Sequence, residues 1–211
     1  MMIRDFEGFI SQLDKKLKKP LPGISSQLKM ASMRRLIEGG KAVVPSDSKK
    51  AGVLVLFYPV DGHPYIVFIK RNEYPGVHSG QISFPGGGYE IKDKNLVNTA
   101  LRESEEEIGV LRNLVRTMGQ LSDLYIPPSH FLVTPVVGYT SVRPEFRPEP
   151  SEVQQILEIP LASFLDPNNL TEKEIILSPG SRFNAPCYYV DENIIWGATA
   201  MILHEMIDVI N

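Results

Sequence analysis

The sequence predicts an α/β fold in which a mixed β-sheet lies between helices. Three observations predict it. Strand-like runs at 52–58 and 64–70 precede one long helical pattern, more such runs follow it, and helical periodicity returns at both ends of the chain. With 211 residues, 43% apolar and 22% charged, the chain can bury one substantial core and is short for two domains of typical size. A net charge of −3 argues against a general nucleic-acid binder that works through a basic surface. Cys187 is the only cysteine, so no intramolecular disulfide forms within the chain, and the residue is expected to fill a strand core. No apolar run approaches the roughly 20 residues that span a bilayer, and the N-terminus lacks the apolar region of a signal peptide. The expectation is a cytoplasmic protein with no membrane partner.

In chain order, Ile3, Phe6, Ile10, Leu13 and Leu17 recur at helical spacing and predict an amphipathic helix ending near Pro20. Its apolar stripe should pack on its own domain or on a second subunit, which makes a homodimer possible. A second helix is expected from Ser26 to Glu38, stopped by Gly39 and Gly40. The polar stretch PSDSKK reads as a loop and divides a helical segment, 1–50, from the main domain, 51–211. Further strands are expected near 81–84 and at 115–122, 131–141 and 153–158, with weaker ones at 173–177 and 186–190. The closing segment Ile195–Ile210 reads as a helix, on which Trp196 and His204 are structural. RPEFRPEPSE, residues 143–152, is rich in proline and charge and should form an exposed loop beside the site.

The most informative stretch is FPGGGYEIKDKNLVNTALRESEEEIGV, residues 84–110. Asp93 is placed to cap a helix whose apolar stripe runs from Leu96 through Ala100 and Leu101 to Ile108, and Gly109 is placed to end it in the left-handed conformation. Glu103, Glu105, Glu106 and Glu107 then crowd the final turns, where the helix dipole and mutual repulsion both disfavour them. Glu103, Glu106 and Glu107 are three and four residues apart and share a face as hard oxygen ligands, a set that suits Mg²⁺ or Mn²⁺. Arg102 lies one turn before Glu106 and can hold that carboxylate in place. Pro85, Gly86, Gly87 and Gly88 interrupt a strand-like run and allow the backbone to approach a ligand closely. On its own an acidic helical face is more often solvated surface; the glycines before it favour a phosphate and metal site.

These residues resemble the Nudix box. Its helical half is matched by Arg102, Glu103, Ser104, Glu105, Glu106, Glu107, Ile108, Gly109 and Val110. One extra residue in the front half places Asp93, rather than Lys94, at the box's acidic position, an arrangement similar to the coenzyme A pyrophosphatase branch. Upstream, IKRNEYPGVHSGQISFPGG is similar to that branch's signature through Arg71, Gly80 and Phe84–Gly87. It departs at Ile69, where Thr is usual, and at Gly76, where a second Arg is expected. Similar segments recur at 131–139, 152–161 and 195–200, so the resemblance covers roughly residues 20–211.

The resemblance implies a Nudix α/β/α sandwich and metal-dependent hydrolysis of a diphosphate. Glu103 and Glu107 are then the main metal ligands, with Glu106 as a further ligand or an activator of water and the Gly87 carbonyl completing the shell. Arg102 orients the helix acids. The general base comes from the helix or from a glutamate on a later loop, for which Glu152, Glu149 and Glu145 are the choices. Arg71, Gln81 and Gly86 are expected to contact substrate, and His78 lies nearby. The implied partner is a coenzyme A-like nucleotide. The alternatives are another nucleoside diphosphate-linked substrate, or a nucleotide sensor, which has no need of the complete acid set.

Overall fold

The computed structural model describes residues 5–37, 44–73, 80–178 and 181–211. Helix α1, Phe6–Leu17, is capped by the Asp5 side chain, which accepts from the Gly8 amide. The expected Ser26–Glu38 helix is instead three short pieces: α2, Ile24–Gln27, a 3₁₀ turn at Leu28–Met30, and α3, Met33–Ile37. Ala31 breaks the run with extended backbone and is buried, and Met30 beside it is also buried. Tertiary burial has overridden a weak local helical preference. Glu38, Gly39 and Gly40 lie outside the described residues.

Strands β1, Lys49–Val60, and β2, His63–Arg71, form an antiparallel hairpin across Asp61-Gly62. β3, Ile82–Ser83, and β4, Gly86–Gly88, follow. Helix α4 spans Leu96–Ile108. Beyond it come β5, Arg116–Gln120, β6, Leu124–Ile126, β7, Phe131–Tyr139, and β8, Val153–Pro160. The short helix α5, Leu161–Leu165, leads to β9, Leu170–Ser178, β10, Ser181–Val190, and β11, Asn193–Trp196. Helix α6, Gly197–Ile210, ends the fold. Ile195, expected at the head of that helix, pairs with Tyr188 in a strand instead.

The main sheet has the order β3-β2-β1-β7-β5, with β1 and β7 parallel and the other pairs antiparallel. Both of its faces are covered, which explains the unbroken apolar run in β1. Val55 and Phe57 face one core with Phe9 and Leu13 of α1 and Met201 and Met206 of α6. Leu54, Leu56 and Tyr58 face a second core with Ala100 and Ile108 of α4. The result is the α/β/α sandwich expected. β9, β10 and β11 form a separate antiparallel sheet, where Cys187 is fully buried opposite Trp196.

One edge of β1 is shared. Phe57–Val60 pair with β2, whereas Ala51–Val53 pair with β4, so the sheet forks between them. Past the fork β2 continues against β8 and β3, carrying Arg71 away from β1. The helical N-terminal segment is tied in by Glu205 of α6, which is fully buried. Its carboxylate accepts from the Gly23 amide at 3.1 Å, the Ser122 amide at 3.2 Å and Gln27 Nε2 at 2.8 Å.

Candidate active site

The fork is lined by β4, the C-terminal turns of α4 and the end of β2. Its glycines do not interrupt the strand as the sequence suggested: Gly86–Gly88 is itself a strand, with Gly87 opposite Gly52 and Gly88 opposite Ala51. A Cβ at 87 would lie 2.5 Å from Glu103 Cδ and would push that carboxylate out of place. The backbone thus runs directly against a carboxylate of the acidic helix.

Helix α4 begins two residues later than Asp93 suggested. Asn95 is its N-cap and accepts from the Asn98 amide at 2.9 Å, while Asp93 ends a 3₁₀ turn, Ile91–Asp93. Gly109 takes the left-handed conformation expected, with φ of 72°. Asp93 is buried and accepts two bonds from Arg102, Nε to Oδ1 at 2.7 Å and Nη2 to Oδ2 at 3.0 Å. It also accepts from the Glu90 amide and the Thr99 hydroxyl. Hydrogen bonds from Arg102 hold its carboxyl well below the usual range, against the opposing effect of burial.

Arg102 is therefore a hub rather than a surface partner of Glu106 alone. It is 4% exposed. Besides Asp93, its Nη1 reaches Glu106 at 2.8 Å and Glu103 at 2.9 Å, and its Nη2 donates to the Gly88 carbonyl at 3.0 Å. One planar guanidinium locks the turn before the helix, the glycine strand and two of the acids together. The predicted hold on Glu106 is present; the links to Asp93, Glu103 and Gly88 join segments whose proximity no local pattern announces.

Glu107 is the most buried of the acids on α4, 2% exposed. It accepts from the Gly86 amide at 2.7 Å, and Arg71 Nη1 lies 3.5 Å from its other oxygen. Burial pushes its carboxyl up to about 8, opposed by the Gly86 bond and Arg71 and reinforced by the charges of Glu103 and Glu152. Burial also raises Glu103, which Arg102 opposes and Glu106 and Glu152 reinforce. Glu105 points elsewhere and pairs with Arg112.

The loop at 143–152 does lie beside the site. Its backbone closes the helix end: the Arg147 amide donates to the Ile108 carbonyl and the Glu149 amide to the Glu107 carbonyl, each at 2.9 Å. Glu145 pairs with Arg147 in solvent, and the Glu149 side chain is taken up by the Ser151 amide and hydroxyl. Of the three proposed bases, only Glu152 contributes charge to both Glu103 and Glu107. Gln81 flanks Arg71, whose amide donates to the Gln81 carbonyl at 3.0 Å. Gly86 has committed its amide to Glu107. Gly76 and His78 lie outside the described residues. His204 is tied to the Tyr188 hydroxyl at 2.7 Å and Trp196 packs on Phe183, both away from the acids.

Among the described residues no three acid, histidine or cysteine side chains stand gathered as a ready cage for an ion. Arg102 draws Glu103 and Glu106 to itself, and Gly86 and Arg71 fix Glu107. The donor chemistry nonetheless fits a hard divalent cation. Glu103 and Glu107 are both desolvated carboxylates, the charge of Glu103 raises Glu107 further, and a divalent charge is what such oxygens accept.

A domain-family profile described as the NUDIX domain matches residues 48–178. The uncharacterized Nudix hydrolase NudL of Photorhabdus laumondii is 32% identical over 161 residues, covering 76% of this chain and 85% of that protein. The human mitochondrial coenzyme A diphosphatase NUDT8 is 31% identical over 171 residues, covering 80% and 72%. A crystal structure of a Nudix hydrolase from Alicyclobacillus acidocaldarius superposes with a TM-score of 0.49 at 19% identity, over 57% of this chain and 82% of that one. The profile spans more than half of the chain and takes in the hub arginine and all of the acids it holds: the chain belongs to the Nudix family of pyrophosphohydrolases.

Proposed function

We propose that the chain hydrolyses the diphosphate linkage of coenzyme A or a derivative, giving 4′-phosphopantetheine, or its acyl form, and adenosine 3′,5′-bisphosphate. The observation that carries this reading is Arg71. It stands at the first arginine of the branch signature, and it is held beside Glu107 at the mouth of the fork. The similarity to NUDT8, described as a coenzyme A diphosphatase, supports it.

Glu103, Glu107 and Glu106 would hold Mg²⁺ or Mn²⁺ together with the Gly87 carbonyl. When bound, the cation neutralises diphosphate oxygens and acidifies a water. The chain's own part is positioning. Arg102 keeps Glu103 and Glu106 beside β4, and the Gly86 amide keeps Glu107 directed into the fork. Arg71 offers a guanidinium fork to the diphosphate, with Gln81 and Gly86 beside it. Glu152 takes the proton of the attacking water.

The test is incubation with Mg²⁺ or Mn²⁺ and a panel of coenzyme A, ADP-ribose, NADH, diadenosine polyphosphates and dGTP, with products identified by mass. Release of adenosine 3′,5′-bisphosphate as the fastest reaction is expected. Preference for ADP-ribose would move the chain to the alternative within the family, a reading favoured by Gly76 standing where the branch has its second arginine. Failure across the panel would leave a nucleotide sensor.

A further inference from the structure

The loop carrying Glu152 is a closed unit. Its turn is shut by the Glu152 and Val153 amides, both donating to the Glu149 carbonyl, at 3.0 and 2.9 Å. The Ser151 amide and hydroxyl close it again through the Glu149 side chain, at 3.2 and 2.8 Å. A unit this self-contained moves as one body, so its docking points decide where Glu152 stands.

On the helix side the docking point is the Glu149 amide on the Glu107 carbonyl. On the sheet side it is the start of β8, where Val153 stands opposite Arg71, together with Asn72. The Asn72 amide donates to the Glu152 carbonyl at 3.1 Å, and its side-chain Nδ2 donates to the Pro150 carbonyl at 2.9 Å. Asn72 directly follows Arg71, whose guanidinium faces Glu107. The contacts form a ring: Glu107 to Arg71, Asn72 to the loop, and the loop back to Glu107. Among the described residues, the one side chain in the sheet-side dock is the carboxamide of Asn72.

We propose that Asn72 is a positioning residue for catalysis, clamping the 149–152 turn so that Glu152 faces the water activated beside Glu103 and Glu107. This rests on Glu152 being the base of the proposed reaction. The ring of Pro150 fixes φ and so removes one axis of rotation from the turn, and the Nδ2 bond to its carbonyl resists rotation of the turn about the Glu149–Glu107 contact. Without that bond the turn keeps its internal closure but gains a hinge. A displacement near 1 Å at a reacting group costs up to about a hundredfold in rate.

The experiment is a double-mutant cycle of Asn72→Ala and Glu152→Gln, read as kcat and KM for the substrate found by the panel, with Tm as the check on folding. Asn72→Ala should lower kcat about tenfold with KM within about twofold of the parent, and Tm should hold because the side chain is at the surface. In the Glu152→Gln background the same change should lower kcat less than about twofold, since there is no base left to misplace. Asn72→Asp, which lacks the donor, should match Asn72→Ala. Equal losses in both backgrounds, or a change in KM alone, would overturn the clamp while leaving Glu152 as the base. A Glu152→Gln variant with parental kcat would instead overturn the base assignment, and the clamp with it.

Discussion

At the scale of single residues, the site is organised by burial of charge. Glu107 is almost wholly buried and its carboxyl is pushed up to about 8. An amide there avoids the desolvation cost, so Glu107→Gln should keep or raise Tm while lowering Mg²⁺-dependent kcat by about a thousandfold or more. Parallel melting and turnover measurements check this, and Glu103→Gln should behave alike. Gly87→Ala should reach the same end by shape, because its Cβ would overlap the Glu103 carboxylate. Activity should fall at least tenfold, with a small change in Tm. Asp93 gives the pH signature. Its folded value is held below the ordinary 3.8, so its contribution to stability is complete above that value and drains away as pH falls below it. Urea unfolding of the parent and of Asp93→Asn should therefore show a gap that is widest above about pH 4 and narrows steadily in more acid solution. A gap unchanged by acid would mean that the link to Arg102 does not depend on the ionised carboxylate.

Among the elements, α4 was the most legible in the sequence, because its apolar stripe, its acids and its terminal glycine are all local signals. Its start was misplaced by two residues. Asp93 and Asn95 are both good capping residues, and what separates them is the pull of Arg102 on Asp93, a contact made across nine residues. The glycine run was recognised as special, but its strand conformation depends on pairing with β1, more than thirty residues earlier in the chain, which no local pattern reports. The roles of Arg102 beyond Glu106, and of Asn72, were hidden for the same reason. The junction of α4 with the following loop offers a direct test. Gly109 has φ of 72°, and a Cβ there would lie 2.9 Å from Arg147 Cβ. Gly109→Ala should cost about 1–2 kcal/mol in chemical denaturation and should also reduce kcat, because the loop it displaces carries Glu152. Loss of stability with unchanged kcat would separate the loop from the chemistry.

For the molecule as a whole, α1, the 3₁₀ turn ending at Met30 and α6 share one core with the sheet, although the family profile begins only at residue 48. Glu205 fastens that arrangement by accepting from three donors on two distant segments. Glu205→Ala strands buried donors and should lower stability by about 3 kcal/mol, with kcat of the folded protein unchanged. A Tm within a degree or so of the parent would show that water replaces the carboxylate.

The fork in the sheet has a consequence for how the chain tolerates change. Arg71 is the last residue of β2, and the hairpin turn before His63 is only Asp61-Gly62, both at positive φ. That turn lies roughly 27 Å from Arg71 along the strand. Surface turns generally accept insertions freely. Here one added residue that shifted the pairing would reverse the facing of β2, aim Lys70 where Arg71 now points, and disarm a cleft the turn never touches. Length variation in this outlying turn should therefore be selected against as strictly as substitution of the acids themselves.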